Sequence, residues 1–426
     1  MCMGSRVSRA RGVSWVPDIR ASSGARRRGL RLRRIGFRLT GFWRAGFCLT
    51  FFLIMFCAVL VPGSLLAGDG VSDWLHLALP GDAPVGVSDL SLGQSTAEVR
   101  GLSMVLKLQA QVVLRNVGAK SIRGLTLRVE AQDISPGGRG SVTVPSLNVA
   151  PGETFPVRID LELVRPFPAG RNNGALVQLT LDGVLFGDLS FYGQNKLDSR
   201  RALTIYELEA RRDREYFAGL IDGGQIKTLR EELNFGIVDL RPPQLGLELI
   251  RDAKPQARPG EQPVEVSFVS LPAAPVQPLA GDARVFNNEV RQPRVELKNT
   301  TNRAVRAIEL GWILRDDRGR DHMAGCLPSR VEIPPVQTAR FAQEGVLRFS
   351  EPGGHPLLIG AVSAFINNVE FADGRLWIPS RADLAAANVD AVVRRGMSAS
   401  PEQQRLADIY RRKGMVGLAA ELRKFN

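Results

Sequence analysis

Apolar and polar residues alternate along two stretches in the first half of the chain. From 106 to 114 every even position is apolar (Leu106, Leu108, Ala110, Val112, Leu114), and from 155 to 163 every odd position is apolar (Phe155, Val157, Ile159, Leu161, Leu163). A period of two buries one face of a strand and exposes the other, as in an antiparallel sheet. Several such strands separated by turn residues predict a β-sandwich.

The pattern recurs about 183 residues later in the chain. The stretch 112–127 reads VVLRNVGAKSIRGLTL, and the stretch 295–310 reads VELKNTTNRAVRAIEL. APGET at 150–154 corresponds to PPVQT at 334–338, and PVGVS at 84–88 corresponds to PVEVS at 263–267. The offset drifts by only a few residues, as small loop insertions would cause. We interpret the two stretches as an internal duplication.

Turn residues separate the predicted strands in both copies. Asn116 and Asn299 end a strand, where asparagine tolerates a left-handed backbone and caps a turn through its own amide. Ala-Pro-Gly-Glu at 150–153 provides a tight reversal before the next strand. Two sites qualify as the hairpin near the end of each copy: Asp182-Gly183 with Asn367-Asn368, or Gly187-Asp188 with Asp373-Gly374. The sequence leaves open which is the hairpin and which is a bulge.

These features resemble the bacterial immunoglobulin-like and CARDB-like modules of cell-envelope proteins. The resemblance rests on a strand that ends in Asn, a short polar stretch, an apolar strand, and APGE before another strand, and it covers about 84–200 and 263–384. The second copy departs from it by having PPVQT in place of APGET. The resemblance implies two immunoglobulin-like antiparallel β-sandwiches that mediate adhesion, assembly or substrate docking, and it implies no catalytic motif.

Helical patterns follow each copy. Apolar residues recur at steps of three and four over 203–235, which predicts a helical segment that Asp222-Gly223-Gly224 interrupts. The C-terminal 382–426 predicts a helical hairpin: Ser400 caps the first helix, Pro401 opens it, Gln403 reaches back to the cap, and Gly414 separates two apolar stripes. We expect this hairpin to pack against the second sandwich, and the alternative is docking to a partner protein.

The N-terminal 67 residues carry the signature of export. Residues 1–46 contain twelve arginines and one acid, and the segment that follows, FCLTFFLIMFCAVLV at 47–61, has no charge. A basic flank, an apolar run and a small residue at Ala67 predict a secretory signal cleaved near that residue. Extension through Ala67 would make the run long enough for a retained inner-membrane anchor, which is the alternative. Either reading carries the body of the chain across the membrane.

Charge and cysteine content narrow the choice of partners. The leader holds +11 of the +13 net charge, so the body is nearly neutral with both signs interspersed. Nucleic-acid binding requires clustered basic faces, and we therefore predict no nucleic-acid partner. Cys2, Cys48 and Cys57 lie in the leader, which leaves Cys326 alone in the exported body. The sequence predicts no internal disulfide and no lipid attachment.

Few residues suggest metal or catalytic chemistry. The histidines are His76, His322 and His355. His322 precedes Cys326 by four residues, a spacing that on a helix would present two metal ligands on one face. The surrounding DDRGRDHMAGC is typical of a turn between strands, however, and the acids of 316–321 lack the regular series and closing Glu of a calcium loop. We predict a solvated hairpin turn there, with no metal, cofactor or catalytic residue.

The remaining candidates have structural interpretations. The adjacent acids Glu231 and Glu232 fall in the helical stretch, where a solvated face is expected. Trp312 and Trp377 occupy apolar positions of the repeat and are predicted to lie in the core, whereas Trp74 precedes it. The chain contains no Gly-x-Ser-x-Gly elbow, no phosphate-binding Gly-rich loop with lysine and no His-Glu-x-x-His.

The predicted fold is mainly β and divides into six parts. These are a leader and signal or anchor (1–67), a first immunoglobulin-like sandwich (76–200), a helical segment (201–240), a proline-rich linker (241–262), a second sandwich (263–384) and C-terminal helices (385–426). The sequence favours an exported, periplasmic or secreted protein without enzymatic activity that binds another envelope protein or a surface polymer. The alternatives are an exported hydrolase or carbohydrate-binding protein whose acids converge only in the fold, and a periplasmic protein anchored through 47–67.

Overall fold

The computed structural model describes residues 75–100, 103–131, 139–166, 177–236, 245–250, 258–343, 345–351 and 355–425. The predicted leader, its three cysteines and Trp74 therefore lie outside the described residues. Within these ranges no helix is both long enough and apolar enough to span a membrane.

The described chain is mainly β, which confirms the predicted fold class at that level. The nineteen strands are β1 Leu75–Ala78, β2 Val85–Leu92, β3 Thr96–Arg100, β4 Ser103–Asn116, β5 Ile122–Ala131, β6 Arg139–Val144, β7 Thr154–Pro166, β8 Val177–Phe186, β9 Phe191–Tyr192, β10 Gly246–Ile250, β11 Gln262–Phe268, β12 Val276–Phe286, β13 Glu289–Asn299, β14 Val305–Asp316, β15 Asp321–Ile333, β16 Thr338–Ala342, β17 Val346–Ser350, β18 Ile359–Phe371 and β19 Leu376–Trp377. The five described helices are α1 Ser199–Asp222, α2 Ile226–Gly236, α3 Arg381–Ala386, α4 Ala391–Ser398 and α5 Pro401–Arg423.

The first half, β1 to β9, consists of two sheets that share one hydrophobic core. One sheet has the order β1-β8-β5-β6, with β9 added to β8, and the other is built on β4, which pairs with β2, β3 and β7. Leu127 and Leu179 from the first sheet and Val112 and Val157 from the second belong to the same buried cluster. The predicted alternation is confirmed where the side chains are described, because the even positions 108–114 of β4 are buried and Lys107 and Gln109 are exposed.

The second half, β10 to β19, is a single ten-stranded sheet that nearly closes on itself. Its order is β10-β17-β13-β12-β11-β18-β14-β15, with β16 added to β13 and β19 to β18. The strand β11 joins its two parts, because residues 262–265 pair with β12 and residues 266–268 pair with β18. Leu245, just before β10, donates its backbone N–H to the carbonyl of Met323 on β15 (3.2 Å), so the two ends of the sheet meet. Trp312 is fully buried in the enclosed core, as predicted.

The two halves share many of their strand pairs. The strand β1 runs parallel to β8 in one half, as β11 does to β18 in the other. The counterpart of β11 is therefore β1, and the predicted match of 84–88 with 263–267 is wrong, because 84–88 leads into β2, which pairs antiparallel with β4. The central antiparallel pairs β5–β8 and β5–β6 correspond to β14–β18 and β14–β15, and β4–β7 corresponds to β13 with β16 and β17. Even the register shifts coincide, since the ladder skips Arg123 and Asp182 in one half and Arg306 and Asn367 in the other.

These register shifts resolve the choice between the two predicted hairpins. Asp182 and Asn367 are bulges inside β8 and β18, not turn residues. The reversals lie at Gly187-Asp188 and Asp373-Gly374, between β8 and β9 and between β18 and β19. Asp182 uses its bulge position to accept hydrogen bonds from the backbone N–H of Lys196 (2.9 Å) and the hydroxyl of Ser199 (2.6 Å). The bulge thus fixes the start of α1.

Asn116 and Asn299 form equivalent buried corners, as the duplication predicts. The Asn116 amide donates to the carbonyls of Lys120 and Val149 (both 3.0 Å), and its Oδ1 accepts from the N–H of Gly118 (3.1 Å). Asn299 donates to the carbonyls at the equivalent positions 303 (2.7 Å) and 333 (3.2 Å) and accepts from the N–H of residue 301 (3.0 Å). Neither asparagine has a positive φ, so the left-handed backbone expected there is not used.

The C-terminal helices pack differently from the prediction. The long helix α5 lies against α1 and α2, where Phe217, Leu229, Leu406 and Leu418 share one buried cluster, and not against the second sheet. The short helices α3 and α4 cover that sheet instead, through Leu384, Val393 and Met397. This arrangement follows from the apolar faces of α1 and α2, which α5 buries.

The structure also differs from the prediction in one helix and in the linker. Ser400 caps α5 by accepting from the N–H of Gln403 (3.1 Å), but the Gln403 side chain donates to the carbonyl of Glu232 (2.9 Å) and does not return to the cap. Gly414 breaks α5 with φ 64° and ψ −163°, as expected between the two stripes. The predicted linker 241–262 contains the strand β10, which pairs with β17.

Candidate functional site

The residues with metal-ligating potential do not converge. His322 and Cys326 both lie on β15, where four residues span roughly 13 Å instead of one helical turn. His322 Nε2 instead lies 3.0 Å from the carboxylate of Asp316. Among the residues that the structure describes, no group of three His, Cys, Asp or Glu side chains could hold a metal ion.

Asp316 organises the predicted hairpin turn between β14 and β15. Its carboxylate accepts the backbone N–H groups of Arg318 (3.0 Å) and Arg320 (2.8 Å) and the Arg320 side chain (2.8 Å). Burial opposes ionisation, but the hydrogen bonds from His322 and Arg320 outweigh it and hold the pKa of Asp316 well below its usual range. The turn is present as predicted, although this acid is buried and not solvated.

The other candidates are dispersed over the molecule. His76 and His355 are exposed at separate sites, and Trp377 is half-buried against the second core. Glu231 is exposed as predicted. Glu232 instead lies within 3.8 Å of Arg381 and 3.5 Å of Arg395.

The helix α1 lies between the two β halves and contacts both. Leu203 packs closely over Gly124 of β5, and Arg211 donates to the carbonyl of Gly187 at the end of β8 (2.6 Å). On the side of the second half, Arg201 lies 3.5 Å from the carboxylate of Glu309 and 3.2 Å from that of Glu370. These contacts fix the position of each half relative to the same helix.

Asp213 is the centre of a buried polar junction between α1, α3 and α5. It is fully buried, and its carboxylate accepts from the Arg212 side chain (2.9 Å), the Arg381 side chain (2.9 Å) and the Ser400 hydroxyl. Charge-assisted hydrogen bonds of this kind are stronger than neutral ones, and their geometry is restrictive. The junction therefore joins the central helix to both C-terminal helical elements.

A second charged cluster surrounds the ring of Phe425 near the C-terminus. The Arg214 guanidinium stacks 3.9 Å from the ring centroid, and the guanidinium of Arg123, from β5, lies 4.9 Å away. The carboxylate of Glu207 lies 3.0 Å from Arg214 and 3.9 Å from Arg123. The end of the chain is thus held against the first half and α1 together.

The carboxyl groups of Glu209 on α1 and Glu309 on β14 influence each other electrostatically. Burial is the main cause that raises the pKa of Glu209 to about 8, and the negative charges of Asp213 and Glu309 add to it. Glu309 accepts hydrogen bonds from Asn368 (2.9 Å) and Asn367 (3.3 Å) and is the carboxylate that Arg201 approaches. At neutral pH Glu209 therefore carries a proton.

Cys326 lies beside this acid pair. Burial, together with the negative charges of Glu309 and Glu209, raises the pKa of its thiol, so it stays protonated and is a poor nucleophile. No sequence motif signals this cluster, because its acids are 100 residues apart and come near each other only through the packing of α1.

The strand β7 forms an open edge of the first half. It pairs along its whole length with β4, and among the described residues β4 is the only strand with which it pairs. Unpaired backbone groups on such an edge can accept a further strand.

Comparison with known proteins gives no family. No family model and no curated protein matches the chain. Among solved structures, the chain is similar to one titled pT26-6p at 9% identity and a TM-score of 0.16, over 79% of this chain and 73% of that one. It is also similar to red sea bream transglutaminase at 8% identity and a TM-score of 0.11. This match covers 67% of this chain but only 31% of the transglutaminase. Likeness at these scores supports no inference about fold or function.

Proposed function

We propose that this chain is an exported, non-enzymatic binding or assembly protein of the bacterial cell envelope, built from two immunoglobulin-like modules. The observation that carries the proposal is the repeated pairing scheme of the two halves, with coincident bulges and equivalent asparagine corners. Duplicated sandwich modules present surfaces, loops and edges for recognition, and function on such a scaffold depends on those surfaces.

The helical junction supports a scaffold that presents both modules in one fixed orientation. Asp213 and the Arg201 contacts connect α1 to the second half and its helices, and Leu203 and Arg211 connect it to the first. A rigid arrangement reduces the entropy lost on binding, because neither module has to be ordered first.

Export rests on the leader sequence. The basic flank, the apolar run 47–61 and Ala67 support a signal that is cleaved before Gly68. The test is to express the full chain with a C-terminal tag in a bacterium, fractionate the cells and determine the N-terminus by mass spectrometry. We expect a periplasmic or secreted protein that starts at Gly68.

Two other results of this experiment would change the proposal. A protein that keeps residues 47–67 and sediments with the inner membrane would replace the secreted form by the anchored alternative. A full-length protein in the cytoplasm would contradict export altogether. The matched control is a chain whose run 47–61 carries two arginine substitutions, which should stay in the cytoplasm.

Binding activity needs its own test. Photocrosslinking amino acids are introduced at exposed positions of the protein in intact cells. Those on one face of the protein should repeatedly capture the same protein or polymer of the envelope. Capture from no face in the compartment where the protein accumulates would contradict a binding role.

The acid pair Glu209 and Glu309 is the one observation that favours an exported hydrolase. A carboxyl group whose pKa is raised toward neutral pH, as that of Glu209 is, is a group that general acid catalysis uses. A screen of the purified protein against envelope polysaccharides, repeated with Glu209→Gln, tests this alternative. Hydrolysis that Glu209→Gln abolishes would replace the non-enzymatic proposal.

A further inference from the structure

The C-terminal helix α5 folds back on itself at Gly414 and forms a hairpin. Gly414 has φ 64° and ψ −163°, so the chain leaves the helix there before a second helical stretch that ends at Arg423. The Arg405 side chain, before the break, donates to the carboxylate of Glu421, after it (2.5 Å). In an unbroken helix these two residues would be about 24 Å apart. The two stretches therefore run side by side, and the residues next to Gly414 form the tip of the hairpin.

The contacts of α5 with α1 and α2 place this tip at one end of the helical bundle. At the other end of α5, the Gln403 side chain donates to the carbonyl of Glu232 (2.9 Å), and the Ser400 hydroxyl donates to Asp213 (2.5 Å). The apolar side chains between these contacts and the tip belong to one cluster, which includes Phe217, Leu220, Ile221, Ile226, Leu229, Leu406, Tyr410 and Met415. From its start, α5 thus follows α1 toward the C-terminus of α1 and α2 toward the N-terminus of α2. The tip lies beside the short turn that joins these two helices.

Exposed cations line the tip. Three directly precede Gly414 and one occupies the first turn of α2, and they are Arg411, Arg412, Lys413 and Lys227. The acids at this end are Asp408, which accepts a hydrogen bond from Arg411 (2.7 Å), and Asp222, which ends α1. Cations therefore outnumber acids at this end of the bundle, and the tip has a positive charge.

Two glycines shape the tip, and an apolar side chain projects from it. Gly414 provides the positive φ of the break, and a Cβ at Gly417 would lie 2.2 Å from the Cβ of Lys413. Only glycine at 417 lets the Lys413 side chain pass so closely. Val416, between these glycines, is 84% exposed, more than the other exposed large apolar residues of the described chain. Exposed apolar residues among lysine and arginine are typical of segments that lie in a membrane interface.

We propose that this tip, defined by residues 411–416 with Lys227, docks on the surface of an anionic phospholipid bilayer. The cations lie at the level of the lipid phosphates, and Val416 inserts between the headgroups. Charge complementarity selects this occupant, because a bilayer presents many phosphates in one plane to a cluster of cations. Burial of the Val416 side chain adds an apolar contribution that a free phosphate ion does not supply.

The proposal adds a lipid surface to the partners of the proposed envelope protein. It rests on that proposed function only for the question of which membrane the tip meets. A few cations and one valine give a weak contact, since each Lys or Arg near an anionic surface raises the affinity about fivefold. Salt weakens the contact, because the attraction decreases over a Debye length.

Vesicle flotation of the purified full chain tests the contact. The vesicles consist of phosphatidylcholine alone or with about 30% phosphatidylglycerol, which supplies the anionic surface. We expect the fraction bound to increase with phosphatidylglycerol at about 50 mM salt, and this increase to be lost at about 500 mM salt.

Variants of the tip separate its two contributions. Arg412→Glu with Lys413→Glu should lower the affinity for anionic vesicles by roughly 20-fold or more, because two cations become anions. Val416→Ser should lower it by about fivefold, through the lost apolar contact. Arg294→Glu with Lys298→Glu, the same charge change on the exposed face of β13, is the matched control and should leave the affinity unchanged. All of these side chains are exposed, so the urea midpoints should stay near that of the wild type.

Hydrogen–deuterium exchange gives a local measurement at the tip. Peptides that cover 411–417 should exchange more slowly with anionic vesicles than without vesicles, and phosphatidylcholine vesicles should have no such effect. This result concerns the tip alone, so it holds even if the purified protein keeps 47–67 and also inserts through that segment.

Three results would overturn the proposal. Unchanged exchange across 411–417 with anionic vesicles refutes docking through the tip. Equal losses of affinity in the tip and control double reversals would show a general effect of net charge. A photocrosslinker at position 416 that captures a protein and no lipid in intact cells would assign the tip to a protein partner. A full-length protein in the cytoplasm would contradict the proposed export, but it would leave these vesicle results unchanged.

Discussion

At the residue scale, the two halves are most alike at their asparagine corners. Asn116 and Asn299 each satisfy two carbonyls and one N–H of a buried turn through a single side chain. Buried backbone groups require such partners, because an unsatisfied group costs free energy that folding does not recover. The shared residue type at these positions thus has a physical cause.

We expect Asn116→Ala and Asn299→Ala each to lower the free energy of unfolding by about 2–3 kcal/mol, because both leave buried carbonyls without donors. Urea denaturation followed by circular dichroism measures the loss. Asn234→Ala, at an exposed position of α2, is the control and should change stability by less than about 0.5 kcal/mol. Corner variants as stable as this control would contradict the assigned hydrogen bonds.

One corner position differs between the halves in a way that predicts opposite mutational effects. Gly152 has φ 82°, and its counterpart Val336 has φ 59° and is 66% exposed. A β-branched residue is strained in this region. Val336→Gly should therefore stabilise the protein by about 1 kcal/mol, and Gly152→Val should destabilise it by about 1–2 kcal/mol.

The same urea titrations measure this reciprocal pair. Loss of stability in both variants would show that Val336 contributes packing that outweighs its backbone strain.

Glu209 should make stability depend on pH. Its pKa is raised to about 8 in the fold, above its value in the unfolded chain, so the folded state keeps a proton that the unfolded state loses. Its contribution is most favourable at acidic pH and decreases as the pH rises through about 8. Glu209→Gln should remove this dependence and stabilise the protein at pH 8 by roughly 2 kcal/mol.

Thermal unfolding of wild type and Glu209→Gln at several pH values compares the two directly. If the melting temperatures of the two proteins change with pH in parallel from pH 5 to pH 9, a protonated Glu209 is contradicted.

At the element scale, α1 determines how the two halves are held together. Its N-terminus begins at the Asp182 bulge of the first half, and its middle carries Asp213 and Arg212 into the junction with α3 and α5. Glu207, Asp213 and Arg214 of this helix are buried because the helix is covered on several sides. Its stability therefore depends on pairing, since a buried charge without a partner is costly.

Asp213→Ala should destabilise the protein by about 3–5 kcal/mol, because it leaves Arg212 and Arg381 buried without their shared carboxylate. Calorimetry should also show the transition of the second half and its helices separating from that of the first. Asp222→Ala, at the exposed end of the same helix, is the matched control and should behave like wild type. An unchanged single transition in Asp213→Ala would contradict a connecting role for the junction.

The elements also show how far the sequence predicts this molecule. The sequence predicts those features that depend on local periodicity or turn chemistry. They are the strand alternation, the duplication, both asparagine corners and the helical stretches. The packing of α5 on α1 and α2 cannot be predicted from the sequence, since an apolar stripe does not specify which surface buries it. The same holds for Glu209, Glu309 and Cys326, whose environment arises only when α1 covers β14 and β15.

At the scale of the whole molecule, many strand pairs of one half recur in the other, but the strands form two sheets in the first half and one joined sheet in the second. In the second half β10 pairs with β17, whereas among the described residues of the first half β7 pairs with β4 alone. The immunoglobulin-like assignment and the envelope function are proposals that extend this arrangement. Both require that each half has the strand pairing described above.

Hydrogen–deuterium exchange of the intact protein, followed by mass spectrometry, tests that requirement most directly. The slowest-exchanging amides should fall in β4, β5 and β8 and, at positions about 183–185 residues later, in β13, β14 and β18, because these strands are paired on both sides. Strong protection in one half, with rapid exchange across the equivalent strands of the other, would contradict a duplicated fold.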